Sequence, residues 1–212
     1  MGNDSPNEKG RRRRLDGEIS RTRILDAATE IATERGYEGT SIGAVSAKCG
    51  LPASSIYWHF KDKDDLLAAV IERSFGDWLT AWQLPPQGTA LERAEAVAIQ
   101  TAKALLDSPS FIRLGLMLAL EQRPVEPRAR ERFLSVRAEA RSALVLSMGE
   151  LAPGLQDAQV QELATYAMAG ADGLFIAKEI GGDSVDLIAL FKVHARAIVD
   201  TAARMVAEAG QL

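Results

Sequence analysis

Apolar residues recur along this chain mostly three and four positions apart, the period of a helix with one buried stripe. Residues 19 to 35 carry Ile24, Ala28 and Ile31 on such a stripe, and Gly36 follows as its stop. Thr40 or Ser41 can cap the next helix by accepting a free backbone N–H. Ile42, Val45 and Ala47 then mark a helix too short to hold itself without neighbours. Gly50 suits a left-handed end, Leu51 pins a turn, and Pro52 cannot extend the first helix but fits the opening of a second. That second helix starts on the small residues Ala53, Ser54 and Ser55. Its Ile56 and Phe60 turn inward, while Ser54, Tyr57 and Lys61 share a polar face. Asp62 caps a third helix with a wide apolar face of Leu66, Leu67, Val70 and Ile71, expected to run through Phe75, Trp78 and Trp82 to Pro85-Pro86. Further helices are predicted over 89–107, 109–122, 127–150, 157–180 and 184–209. Their breaks are Ser108-Pro109, Pro124 to Pro127, Pro153-Gly154 and Gly181-Gly182. The chain therefore reads as all-α, with about nine helices.

Two very short helices around a tight turn, at about residues 41–60, have the geometry of a helix-turn-helix DNA reader. Composition agrees with a helical protein carrying a large core: 212 residues, 47% of them hydrophobic. No run approaches the roughly 18 apolar residues of a membrane span, and the charged N-terminus lacks the apolar stretch of a secretory signal. A single cysteine, Cys49, excludes an intrachain disulfide and suits a reducing cytoplasm, the expected location. Its simplest role is a small buried apolar group.

The net charge of −4 is unusual for a DNA binder, so its distribution matters more than its sum. Basic residues concentrate in Lys9-Gly10-Arg11-Arg12-Arg13-Arg14 and return at Arg21, Arg23, Lys48, Lys61 and Lys63. Residues 1–17 show no clear helical period. They read either as a disordered, solvated tail or as a basic arm that follows the DNA backbone or enters the minor groove.

The run Ser55-Ile56-Tyr57-Trp58-His59-Phe60-Lys61-Asp62-Lys63-Asp64-Asp65-Leu66-Leu67, preceded by Thr40-Ser41-Ile42 and Cys49-Gly50-Leu51, closely resembles the TetR family of bacterial transcriptional regulators. Upstream, Arg23-Ile24-Leu25-Asp26-Ala27-Ala28 and Gly36-Tyr37 extend the likeness. The resemblance implies a three-helix DNA-binding domain over 18–78 and a helical effector-binding and dimerisation domain over 79–212. It implies DNA contacts from Ser41, Ala53, Ser54, Ser55, Tyr57, Trp58, His59, Lys61 and Lys63. Gly43 stands where some relatives carry a guanine-reading arginine, so specificity here is expected to lean on Tyr57, thymine methyls and DNA shape.

The body is expected to pair with a second copy through Leu163, Ala167, Gly170, Leu174, Phe191 and Ile198. A C₂ dimer matches a palindromic operator. A cavity for a small apolar or amphipathic effector is expected among Phe75, Trp78, Trp82, Phe111, Leu114, Met117, Leu118 and Tyr166. The implied function is a homodimeric repressor released from operator DNA by that effector. The alternative is a regulator that works without a ligand or under protein control, or as an activator. With two distant histidines, one cysteine and no phosphate loop, dinucleotide glycine pattern or metal-ligand pair, neither catalysis, a cofactor nor a metal is expected.

Overall fold

The structure is a computed structural model that describes residues 6–79, 84–120 and 127–209, the side chains of 6–13 and 77–79 aside. Trp78 and Trp82, both expected in the effector cavity, have no described side chain, and the stretch carrying helix 63–79 on to Trp82 lies outside the described residues. Among the described residues there are nine α-helices and no strand: α1 Pro6–Gly39, α2 Ile42–Cys49, α3 Ala53–His59, α4 Lys63–Leu79, α5 Ala90–Asp107, α6 Ser110–Leu120, α7 Arg128–Leu151, α8 Asp157–Gly181 and α9 Leu187–Ala209. No described helix is long and apolar enough to cross a membrane.

The chain forms two compact units, Met1–Ser74 with Ser110–Leu134, and Phe75–Pro109 with Ser135–Leu212. This differs from the contiguous 18–78 and 79–212 division read from the sequence, because α6 and the first turns of α7 pack with the N-terminal helices. In the first unit α1 packs on α2, α3 and α6. Its core comprises Ile24, Leu25, Ala28 and Ile31 from α1, with Val45, Ile56, Phe60, Leu66, Leu67, Val70, Phe111, Ile112, Leu114, Leu118 and Phe133. Burial stabilises each large side chain by about 1.5–3 kcal/mol. Gly36, at φ 68°, breaks α1 where the sequence placed its stop. A Cβ there would also lie only 2.7 Å from Met117 Cε, so a glycine lets α6 approach.

Helix α1 starts at Pro6, well before the expected 19, so residues 6–17 are helical rather than irregular. Pro6 suits a first helical position, and Glu8, Lys9, the arginines and Leu15 are sound helix formers that outweigh Gly10 and Gly17. Residues 1–5 of the expected disordered tail lie outside the described residues.

In the second unit α9 packs on α5 and α8. Met148, Val160, Leu163, Ala167, Ile198 and Ala202 form one apolar cluster there. Arg137 on α7 donates to Asp172 on α8 at 2.5 Å. Burial pushes the Asp172 carboxyl up, against the pull of that guanidinium. Helix α9 begins at Leu187 rather than 184. A 3₁₀ turn over Gly182–Ser184 precedes it, and Asp186 Oδ1 accepts from Ala189 N at 3.0 Å.

Two helix glycines give opposite expectations. A Cβ at Gly115 would overlap the Phe133 ring, whereas one at Gly149 meets nothing within 4 Å. Gly115→Ala should destabilise the fold by about 1–3 kcal/mol through overpacking. Gly149→Ala should stabilise it by about 0.5–1 kcal/mol. Urea denaturation midpoints check both signs.

Candidate nucleic-acid interface

Helix α2 starts at Ser41, whose Oγ accepts from Ala44 N at 3.1 Å. It ends at Gly50 in the left-handed conformation, φ 67°, with Gly50 N donating to Ser46 O. The turn to α3 is tied twice. Ser46 Oγ donates to Leu51 O at 2.7 Å, and Arg23 Nη2 reaches from α1 to Cys49 O at 2.7 Å. Pro52, extended, precedes α3, and the buried Phe60, also extended, ends it. Seven residues are therefore held at both ends and through the middle by Ile56, which is 0% exposed. Cys49 is buried, as its small apolar character suggested.

This anchoring turns the rest of α3 outward. Tyr57 is 56% and Trp58 76% exposed. Ser54 and Lys61 are also exposed, Ala53, Ser55 and His59 half-buried, and Ser41 exposed at the head of α2. Trp58 meets the His59 ring edge-on at 4.6 Å. Ser54, Ser55, Trp58 and His59 form one wall of an open groove whose other wall is Asp16, Gly17 and Ser20 of α1. Burial first, then the Arg21 charge, holds the His59 imidazole below its ordinary pKa.

Lys63, another of the expected contacts, has partners within the chain. Its Nζ donates to Tyr37 O at 3.2 Å, lies 4.2 Å from the Tyr37 ring centroid and pairs with Glu38 at 3.6 Å. Its charge is thus shared with intramolecular partners.

A node closes this unit in which the Asp62 cap was expected from the sequence and the tie to Arg128 was not. Asp62 Oδ1 accepts from Asp65 N at 2.8 Å, and Asp65 Oδ2 from Lys61 N at 2.9 Å, a reciprocal cap on α4. Asp64 then caps α7, 64 residues along the chain: its carboxylate accepts Arg128 N at 2.6 Å and Ala129 N at 3.1 Å. Arg128 Nη2 donates to both Asp62 oxygens at 2.8 and 2.9 Å. The Asp65 amide first, with Arg128 assisting against desolvation, holds the Asp62 carboxyl below the usual range.

The second unit contains an apolar cavity of about 100 Å³, bounded by Val97 and Ala98 of α5, Leu144 and Met148 of α7, and Phe191 and Ile198 of α9. Thr101, Ser147 and His194 are polar groups in its wall. His194 Nε2 donates to Ala167 O at 2.9 Å, since a carbonyl can only accept. A recess of about 390 Å³ shares Met148, Leu151 and Ile198 with this cavity and runs along Pro153, Gly154 and Val206. Among the described residues no cation lines either space.

Among the described residues, none of the expected effector contacts lines these spaces. Phe111, Leu114 and Leu118 are buried in the first unit, beside Phe133 in the case of Phe111 (5.7 Å between rings), and Met117 is 45% exposed there. Phe75 is buried outside both spaces, and Tyr166 lies on the surface. The aromatic and Met spacing on α6 marked a core stripe, not a ligand wall.

The dimer positions need a similar correction. Leu163, Ala167, Phe191 and Ile198 are buried within their own protomer, and Gly170 and Leu174 are half-buried. The free apolar stripe on α8 is instead Tyr166, Ala169, Gly173, Ile176 and Ile180, spaced three and four apart, with Val193 exposed on α9. Among the described residues no group of His, Cys, Asp and Glu could hold a metal.

Residues 24–70 match the profile described as bacterial regulatory proteins of the tetR family. The HTH-type transcriptional regulator AcrR of Shigella flexneri is 36% identical over 64 residues, which is 30% of this chain and 30% of its own length. The fatty acid metabolism regulator protein of Bacillus subtilis is 25% identical over 141 residues, 66% of this chain and 70% of the relative. The crystal structure of the B. subtilis regulator FadR with stearoyl-CoA superposes with a TM-score of 0.67 at 20% identity, over 84% of this chain and 97% of that one, a likeness of fold.

Asp62→Ala should cost about 1 kcal/mol at neutral pH through the lost cap, and Asp62→Asn much less. Because the folded pKa is depressed, this contribution is complete above the unfolded value near 3.9 and disappears as pH falls through the lower folded value. Stability curves of wild type and Asp62→Ala should therefore converge at acid pH.

Proposed function

The chain belongs to the TetR family of bacterial regulatory proteins, a DNA-binding transcriptional regulator, and from that premise we propose that it acts as a homodimeric repressor released from a palindromic operator by a small apolar or amphipathic effector. The observation that carries the DNA-reading part is the contrast along α3: Ile56 fully buried, Tyr57 and Trp58 projecting. Ser54, Tyr57 and Lys61 are the groups offered to the major groove, with Ser41 toward the backbone. Few long side chains reach base edges, so DNA shape carries a large share of specificity.

Pairing is assigned to the α8 stripe of Tyr166, Ala169, Gly173, Ile176 and Ile180. Exposed apolar side chains at this spacing form the seam of a helix bundle, and the small residues let two backbones approach. A two-fold dimer then presents two copies of α3 to half-sites about 34–36 Å apart.

The effector site is assigned to the cavity and recess of the second unit. The recess reaches the range of ordinary ligand sites, ~300–1,000 Å³, and the cavity shares Met148, Leu151 and Ile198 with it. The described lining is apolar and carries no cation, which fits an aliphatic chain whose charged head stays outside. The stearoyl-CoA held by the B. subtilis regulator is of that class. The small volume of the cavity is what favours the alternative, control without a ligand; the recess weighs against it. Leu144, Ser147, Met148 and Leu151 of the cavity wall lie on α7, whose first residue grips Asp62 and Asp64 at the head of α4. A ligand that binds better to one α7 position shifts the populations of the reader accordingly, and one that binds both equally does nothing.

Ile176→Asp should yield a monomer by light scattering and lower operator affinity by about 10²–10⁴-fold through lost bivalency; an intact dimer would refute the seam. Ala98→Phe should fill the cavity, leave operator binding unchanged and abolish release by palmitoyl-CoA in a mobility-shift assay. Tight palmitoyl-CoA binding to the wild type with no change in DNA affinity would refute the release mechanism.

A further inference from the structure

The cavity and the recess of the second unit lie end to end. Along α7, Leu144 borders the cavity alone, Met148 and Leu151 border both spaces, and Ala152, just past the helix, borders the recess alone. The same order runs along α9: Phe191 and Ala195 on the cavity, Ile198 on both, Ala202 and Val206 on the recess. On α5 the order is reversed along the chain, with Thr101 and Val97 on the cavity and Ala90 on the recess. Three helices thus define one axis. At 1.5 Å of rise per residue, Phe191 and Val206 stand about 22 Å apart along α9, a span on the scale of an extended long-chain acyl group.

The residues common to both spaces divide them, and they differ in stiffness. Ile198 is β-branched and sits in mid-α9, where such a side chain keeps essentially one χ1 rotamer. Leu151 is the last residue of α7. Met148 is unbranched and has the most rotatable bonds of the three. It is 5% exposed and packs in one apolar cluster with Val160, Leu163 and Ala167. From either end, a chain advancing along the axis meets the Met148 thioether at the junction. A thioether can swing to lie along that chain; a branched side chain held in one rotamer cannot.

We propose that Met148 sets the length of acyl chain that this protein recognises. A chain that fills one space stops against Met148, and a longer one spans both only by displacing that side chain from its cluster. The proposal rests on the effector site lying in these two spaces. Each methylene entering apolar space adds roughly fourfold in affinity. That gain halts at the junction, because the contacts the thioether loses offset those the next methylene makes.

The test measures binding of butanoyl-, octanoyl-, dodecanoyl- and palmitoyl-CoA to the full-length protein by isothermal titration calorimetry. In the wild type, affinity should climb with chain length and then flatten before palmitoyl-CoA. Met148→Ala removes the partition, so the ratio of palmitoyl-CoA to octanoyl-CoA affinity should rise about tenfold or more, the worth of two further methylenes. Met148→Leu conserves volume and is tolerated in a packed core, so it reports even if the alanine variant does not fold. Its branched, shorter side chain should lower the same ratio by about tenfold, the loss of as many methylenes. A wild-type profile that climbs without a break through palmitoyl-CoA overturns the proposal. A ratio unchanged in Met148→Leu, or in a folded Met148→Ala, also overturns it. A wild type that binds no acyl-CoA, or palmitoyl-CoA bound equally well after Ala98→Phe, overturns instead the effector-site reading beneath it, a result distinct from the others.

Discussion

Ile56 is wholly buried and Tyr57, its neighbour, is more than half exposed, and the reader depends on that single step of register. A seven-residue helix has no stability of its own. Its rotation is fixed because Ile56 and Phe60 fill the core, while Ser46 and Arg23 tie the turn that precedes it. Turning α3 by one residue, about 100°, would expose Ile56, losing about 1.5–3 kcal/mol of burial, and would bury a phenol in its place. Rigidity at the DNA surface is therefore a property of packing on the opposite side.

Local chemistry made this part legible from the amino-acid sequence. Ser41, Gly50 and Pro52 act within a few residues of themselves, so caps and turn appear in the chain order. Partners distant in the chain leave no such mark. Nothing near Asp64 announces that its carboxylate caps a helix beginning at Arg128. On α6, the spacing of Phe111, Leu114 and Leu118 shows that a face is buried, but not that it is buried against α1 and Phe133. Helix α8 is harder still, being apolar on several sides. Leu163 and Ala167 face its own protomer, while Tyr166 and Ile176, only a few positions away, face solvent.

Charge shows the same division between what a chain contains and what a fold leaves available. Arg23, Lys48 and Lys63 look like DNA-facing cations in the sequence, yet each has an internal partner. Arg23 stabilises the carboxyl end of α2, where a cation meets the helix dipole favourably. These residues build the reader and hold the turn, which is a different task from touching phosphate. Net charge is then a poor guide, since −4 counts them all alike.

The first compact unit is assembled from two separated stretches, Met1–Ser74 and Ser110–Leu134. A nascent chain leaving the ribosome therefore presents α1 to α4 with one flank bare: the bed for Met117 beside Gly36 is empty, and Asp64 has no helix to cap. Such long-range closure slows folding relative to a contiguous bundle of the same size. The reader becomes complete only after Leu134 has been translated, so a truncated product ending near residue 80 carries the recognition helix without the scaffold that finishes it.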